Sequence, residues 1–433
     1  MERKIMRELL DWKQNDKDRK PLLLYGARQT GKTYILQKFG ESSYNDFLYI
    51  NLENDNRARE IFADDLRPEK IIFSLELLYK KKIKAGQTLL ILDEIQSCDR
   101  ALTSLKYFCE LAPEQHVVAA GSLLGVAVNR SNYSFPVGKV KILTLYPMDF
   151  EEFLWVENEQ ALAELIRAHY HTLEAIPVAI HEKLLALYRL YLVVGGMPAA
   201  VAAYAAEKSL ATVAEIHGGI LDSYVADMAK YANATETVRI RACYNSLPAQ
   251  LAKENKKFQY RVVQHGGRAN TFAGAIDWLE ASGVALCCKK LTGALLPLAA
   301  YEDAASFKLY FSDVGLLVSK AGIPRELVLS DVANIFMGAV TENYLAQALK
   351  AAGQKLYYWT SNQTAEIDFV LQSSQGIVPV EVKKGTKVRS RSLEVFVKSN
   401  AYDYAMRFSA RNFGKEDRLK SVPLYAAFCL EKY

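Results

Sequence analysis

The chain has 433 residues, of which 50% are hydrophobic, and 54 Lys+Arg against 49 Asp+Glu give a net charge of +5. This length exceeds one ordinary domain and supplies several compact cores, which excludes a disordered or fibrous chain, while so mild a charge cannot by itself mark a nucleic-acid binder. The six cysteines are scattered, with Cys287-Cys288 adjacent and no C-x-x-C pair, so neither a zinc site nor a disulfide framework is indicated. With a charged N-terminus and no run of about 18 apolar residues, the reading is a cytoplasmic protein with no membrane partner.

Residues 1–160 alternate short apolar runs with helical stretches, the pattern of a parallel sheet covered by helices. Strands are expected at Leu22–Tyr25, Phe47–Asn51, Thr88–Leu92, Val117–Ala120 and Val140–Leu145. Directly after the first of these, Gly26-Ala27-Arg28-Gln29-Thr30-Gly31-Lys32-Thr33 completes G-x-x-x-x-G-K-T, and Tyr34 opens the helical stretch that follows. The glycines let the loop curl so that successive N–H groups face a triphosphate. Lys32 can then reach the β- and γ-phosphate oxygens, and the Thr33 hydroxyl at the helix start can ligate Mg²⁺. The run Thr88-Leu89-Leu90-Ile91-Leu92 delivers Asp93-Glu94 at a strand tip, where open α/β sheets bind ligands. Asp93 is read as the Mg²⁺ holder and Glu94 as the general base toward the attacking water. Gly121-Ser122, after the next strand, can place a hydroxyl between these two elements. Charge on the transferred phosphate also calls for a cation, for which Lys139 and Arg130 are candidates; a lysine lacks the bidentate fork, so slow turnover is expected. No guanine-reading N-K-x-D follows, which favours ATP over GTP.

Residues 161–235 read as an alanine-rich helical lid or connector, broken at Gly195-Gly196-Met197-Pro198. Residues 236–325 suggest helices, then Phe272–Ser282, then strands at Val284–Leu291 and Lys308–Phe311, an order that fits a winged-helix module. Its candidate recognition helix carries Asp277 and Glu280 without Arg or Lys, which suits a protein contact better than DNA. Trp278 and Leu279 read as core.

Residues 326–433 form an α/β pattern of their own, with a helix near Ala339–Ala352 and strands at Lys355–Trp359, Ile367–Gln372 and Val378–Lys383. Asp368 on one strand and Glu381-Val382-Lys383 on the next make a D…E-x-K arrangement, and alternation sends Glu381 and Lys383 to one face. With Glu342 from the preceding helix, Asp368 and Glu381 could hold Mg²⁺ while Lys383 positions a water for phosphodiester attack. The adjacent basic run Lys383, Lys384, Lys387, Arg389 and Arg391 suits a nucleic-acid backbone. The competing reading is a cross-strand salt bridge beside a solvated basic loop.

Taken with Leu145-Tyr146-Pro147-Met148-Asp149-Phe150, Tyr310-Phe311-Ser312-Asp313-Val314-Gly315-Leu316 and Glu342-Asn343, these motifs resemble prokaryotic AAA-type ATPases related to archaeal-type and signal-transducing NTPases. Their C-terminal domain is similar to PD-(D/E)XK nucleases. The resemblance covers nearly the whole chain and implies an α/β P-loop NTPase core, a helical lid, a winged-helix middle and a nuclease-like tail. It departs at Gly138-Lys139, where the family tends to Gly-Arg, and at Thr360, where a basic residue is expected. The function expected is an Mg²⁺-dependent, slow ATPase acting as a nucleotide-controlled switch, with ATP/ADP, a protein and a second copy of the chain as partners. An ATP-regulated nuclease and a non-hydrolysing nucleotide-binding module are the alternatives.

Overall fold

The computed structural model describes every residue except 16–17, 123–124, 127–134, 255, 331–335, 362–364, 375, 386–390 and 431–433. Arg130, Lys387 and Arg389 lie outside the described residues. The chain divides into two compact units, Met1–Tyr146 with Ala281–Gly283, and Pro147–Glu280 with Val284–Tyr433.

The first unit is built on five parallel strands, β1 (Leu22–Tyr25), β2 (Asp46–Asn51), β3 (Thr88–Asp93), β4 (Val117–Ala120) and β5 (Lys141–Thr144), in the order β2-β3-β4-β1-β5. All five match the apolar runs expected from the sequence. β3 is buried at all six positions, as a central parallel strand covered on both faces must be. Alternation splits the strands between two cores: Leu23, Leu90, Leu92 and Ala119 face one, and Leu22, Leu24, Leu89, Ile91, Val118 and Ala120 face the other. Against the second core lies the helix Ile5–Gln14, whose Ile5, Leu9 and Trp12 form its buried stripe.

The second unit begins with helices and holds two sheets. One runs β7-β6-β8-β9, from β6 (Ala285–Leu291), β7 (Glu302–Phe311), β8 (Tyr357–Thr360) and β9 (Glu366–Ile367). The other runs β10-β11-β12-β14-β13, from β10 (Phe369–Gln372), β11 (Ile377–Val382), β12 (Ala405–Ser409), β13 (Gly414–Glu416) and β14 (Leu419–Pro423). Two of these features depart from the boundaries expected at 160 and 325. The helix Phe150–Val156 packs Phe150 and Phe153 on Tyr191, within the second unit rather than at the end of the first. The hairpin β6–β7 follows helices as a winged-helix order would, yet the free edge of β6 pairs in parallel with β8, so hydrogen bonding crosses residue 325. An unpaired strand edge needs a partner, and β8 supplies it. Trp278 and Leu279 are buried as expected.

Candidate functional site

The loop after β1 turns through left-handed backbone at Gln29 and Gly31 and opens the helix Lys32–Ser43. Gly26, at φ +152°, passes so near the next strand that a Cβ there would stand 2.4 Å from the Leu145 carbonyl oxygen. Lys32 is buried beneath the loop, its ammonium donating to the Gly26 carbonyl at 2.9 Å and the Ala27 carbonyl at 2.8 Å. The Thr30 hydroxyl donates to the same Ala27 carbonyl at 2.9 Å.

The acids arrive from β3. Asp93 is buried, and its Oδ2 accepts from the Thr33 hydroxyl at 2.6 Å and from the Tyr49 hydroxyl at 2.9 Å. Burial, with Asp93 beside it, pushes the Tyr49 phenol up to about 12. Glu94 turns through φ +51°, its N–H donates to Asp93 Oδ1 at 2.9 Å, and its carboxylate accepts from the Gln96 amide. Burial, reinforced by the charge of Asp93, raises the Glu94 carboxyl above its ordinary range. β4 lies between β1 and β3 in the sheet, which brings the buried Ser122 to the edge that carries both the loop and the acids. The donor set suits a magnesium–nucleotide complex: a hard hydroxyl–carboxylate pair is already in contact at Thr33 and Asp93, and a buried ammonium sits under a loop of backbone N–H groups.

Sequence reasoning assigned no role to Arg3, Tyr49 or Gln96. Arg3 is 6% exposed and donates from Nη1 to the Thr30 carbonyl at 3.0 Å and from Nη2 to the Tyr146 carbonyl at 2.7 Å. Gly283 also belongs to the first unit, where a Cβ would stand 3.3 Å from the Ala27 nitrogen. Tyr34 is half-exposed and its hydroxyl accepts from the Met1 ammonium at 3.0 Å. Lys139 is not gathered into the site. It precedes β5, whose Lys141 pairs with Leu22 at the start of β1, whereas the phosphate loop leaves from Tyr25 at the other end. Its ammonium pairs with Glu110 at 2.9 Å.

The second constellation sets the expected acids among basic side chains. Asp368 sits where the chain passes from β9 to β10, and its Oδ2 accepts from the Val382 N–H at 2.8 Å. Glu342 is buried in an ion-pair network that the sequence reading missed: Lys308 donates to its Oε1 at 2.9 Å, Tyr310 donates to the same oxygen, and Lys256 holds its Oε2. Lys308, fully buried, also reaches Glu366 at 2.6 Å. Burial alone would raise the Glu342 carboxyl, but the Lys308 and Lys256 ammoniums hold it well below its ordinary range. Asp368 moves the other way, pushed up to about 7 by burial and by the neighbouring charge of Glu342. Glu381 faces Arg407 across β11 and β12, accepts from it at 3.4 Å, and pairs with Lys383 at 3.1 Å. Glu381 and Lys383 thus share a face as alternation requires. Among the described residues, no group of three or more His, Cys, Asp or Glu is arranged to hold a metal ion. Of the expected Glu342, Asp368 and Glu381 set, Glu342 is bonded to Lys308 and Lys256, Glu381 to Lys383 and Arg407, and Asp368 to the Val382 N–H.

Three family matches tile the chain: residues 18–154 match an AAA domain, residues 185–327 a domain of unknown function (DUF8612), and residues 337–427 another domain of unknown function (DUF4143). No curated protein matches the chain. Similar solved structures include the Aeropyrum pernix ORC2 protein in ADPNP–ADP complexes, 13% identical over 77% of this chain and 92% of that one, with a TM-score of 0.36. They also include a Pyrococcus horikoshii signal-transduction ATPase with a tetratricopeptide repeat sensor, 13% identical over 79% of this chain and 45% of that one, with a TM-score of 0.28. A third is AMPPCP-bound DnaA from Aquifex aeolicus, 14% identical over 64% of this chain and 86% of that one, with a TM-score of 0.25. The stretch that matches the AAA domain, residues 18–154, carries the five parallel strands and the phosphate loop.

Proposed function

We propose that the chain binds ATP with Mg²⁺ at the loop Gly26–Thr33 and hydrolyses it slowly, the nucleotide state acting as a switch on the second unit. The observation that carries this reading is the 2.6 Å contact between the Thr33 hydroxyl and the Asp93 carboxylate, beside the buried ammonium of Lys32. Backbone N–H groups of residues 26–33 would receive the phosphates, and Lys32 would exchange the Gly26 and Ala27 carbonyls for phosphate oxygens. Thr33 and Asp93 would hold Mg²⁺, which when bound neutralises charge on the phosphate oxygens. Glu94, with its raised carboxyl pKa, would accept a proton from the attacking water, and Gln96 would orient it. Ser122 would place its hydroxyl against the γ-phosphate. The distance of Lys139 from this edge supports slow turnover by the isolated chain.

Titration with a fluorescent ATP analogue, followed by phosphate release, tests the reading. Saturable Mg²⁺-dependent binding, lost in Lys32→Ala, is expected, together with turnover that EDTA abolishes. Wild-type protein that binds neither ATP nor ADP would end it.

A further inference from the structure

The phosphate loop is tied at two points to the segment that follows β5. At its first residue, the close passage of Gly26 over the Leu145 carbonyl is fixed by the Leu145 N–H, which donates to the Tyr25 carbonyl at 2.7 Å. At its crest, Arg3 clamps the Thr30 carbonyl with one nitrogen and the Tyr146 carbonyl with the other. A guanidinium is a planar fork of charged donors, so it holds two carbonyls in a fixed relation that a single ammonium cannot.

Two residues later, in the second unit, the same segment is locked again. The Met148 N–H donates to the Gly196 carbonyl at 2.7 Å, and the Met148 carbonyl accepts from the buried Tyr191 hydroxyl at 2.6 Å. A Cβ on Gly196 would stand 1.9 Å from that Met148 oxygen, so only glycine permits the approach. The Gly196 N–H in turn donates to Asp313 Oδ2 at 2.6 Å, while Gln347 donates to Tyr191 at 3.0 Å and accepts from the Val314 N–H at 3.0 Å. The carbonyls of Tyr146 and Met148 are thus each held by a buried donor, and between them lies Pro147, whose ring restricts φ to about −65°.

We propose that Arg3 is a positioning residue that couples the phosphate loop to the strap Tyr146-Pro147-Met148, and through it to the Gly196–Asp313 lock. The proposal rests on nucleotide binding at the loop. Its first step follows from the bonds present: when Lys32 releases the Ala27 carbonyl to reach a phosphate, the Thr30 hydroxyl bonded to that carbonyl is disturbed. The Thr30 carbonyl that Arg3 holds moves with it. Arg3 converts that displacement into a pull on Tyr146, and the stiff proline carries it to Met148. A chain of bonded groups of this kind is a physical route for coupling if nucleotide shifts it between two arrangements.

Hydrogen exchange read by mass spectrometry on the full chain, with and without saturating Mg²⁺ and a slowly hydrolysed ATP analogue, tests this. In the wild type, nucleotide is expected to slow exchange across 26–33 and also to change exchange at the Met148 and Gly196 amides. In Arg3→Met and Arg3→Lys, protection of 26–33 persists at saturation while the response at Met148 and Gly196 is lost. Pro147→Gly, which leaves Arg3 intact, is expected to lose the same remote response and decides the matter if Arg3→Met does not fold. A remote response that survives in the variants, or a protected loop without any remote response in the wild type, overturns the coupling. A wild-type loop left unprotected by nucleotide removes the nucleotide reading itself, and the coupling with it.

Discussion

Acids and lysines occur in both units at spacings that suggest chemistry, yet their partners differ. Around the phosphate loop, Asp93 is met by the hydroxyls of Thr33 and Tyr49, and Lys32 by the carbonyls of Gly26 and Ala27. These four partners are neutral, while the charge of Lys32 also acts on the nearby Glu94 carboxylate. In the second unit Glu342 meets Lys308 and Lys256, and Glu381 meets Lys383 and Arg407. There Glu342 and Glu381 are each met by two cations, and a ligand would have to compete with those ion pairs. The comparison teaches that a D…E-x-K spacing does not by itself reveal which partners its charges meet, whereas the structure shows basic side chains around Glu342 and Glu381.

The largest expected effects lie in the first unit. Glu94→Gln should lower turnover by roughly 10²–10⁴ with nucleotide affinity nearly unchanged, because the proton acceptor is removed while the phosphate contacts remain. Single-turnover phosphate release beside equilibrium binding checks the split; equal losses in both would place Glu94 in binding instead. In the second unit the expected loss is of stability. Lys308→Met removes one of the two lysines that compensate the buried Glu342, leaves Lys256 in place and unpairs the partly exposed Glu366, so the loss should approach from below the about 3–5 kcal/mol of a fully broken buried pair. Lys383→Met, at a 39% exposed side chain, should cost about 1 kcal/mol or less. Urea denaturation of the two variants measures the contrast, and losses of equal size would break the comparison.

Much of the first unit was legible because parallel strands buried on both faces read as unbroken apolar runs. Leu22–Tyr25 and Val117–Ala120 coincide with β1 and β4 residue for residue. The loop motif and Asp93-Glu94 are local patterns and were equally plain. Arg3 was not legible, since its partners Thr30 and Tyr146 lie 27 and 143 residues away and no periodicity links them. Lys308 left a signal that went unused: one lysine inside Ser306-Phe307-Lys308-Leu309-Tyr310-Phe311 must either snorkel or find a buried acid. Its partner Glu342 lies 34 residues on, and spacing alone cannot reveal that the two meet. Gly195-Gly196 read as a turn, whereas the close approach of the Met148 backbone is what requires Gly196.

A smaller effect is expected from Asp313, the acid of the Gly196 lock. Burial pushes its carboxyl up to about 6, against the opposing N–H donors of Gly196 and Leu316. A carboxyl whose folded pKa exceeds its unfolded value near 3.8 binds more protons in the folded chain between those two values. Its contribution to stability is therefore fully present below the unfolded value and is lost as pH rises through about 6. Asp313→Asn removes this titration. The melting temperature of wild type minus that of the variant should rise as pH falls from 7 toward 4, and a difference that stays flat would contradict the assignment.

Lys139→Ala should produce the smallest change, and it tests the comparison from the other side. Lys139 is a cation at a position where the sequence suggested a role in phosphoryl transfer, but its charge is paired with Glu110 near the end of the helix Asp99–Leu111. That hydrogen bond holds the Glu110 carboxyl below its ordinary range and raises the lysine. The pair is exposed, and β5 runs parallel to β1 from Leu22↔Lys141 to Tyr25↔Thr144, which puts Lys139 at the sheet edge remote from the loop. Removing it from an isolated chain should leave turnover within about twofold and the melting temperature nearly unmoved, as for other exposed ion pairs. Measured across a range of protein concentrations, the same variant also asks about neighbours. Turnover that rises with wild-type concentration but not with Lys139→Ala would move the lysine from a surface pair to the site of an adjacent copy, where the remote sheet edge of one chain can meet the phosphate loop of the next.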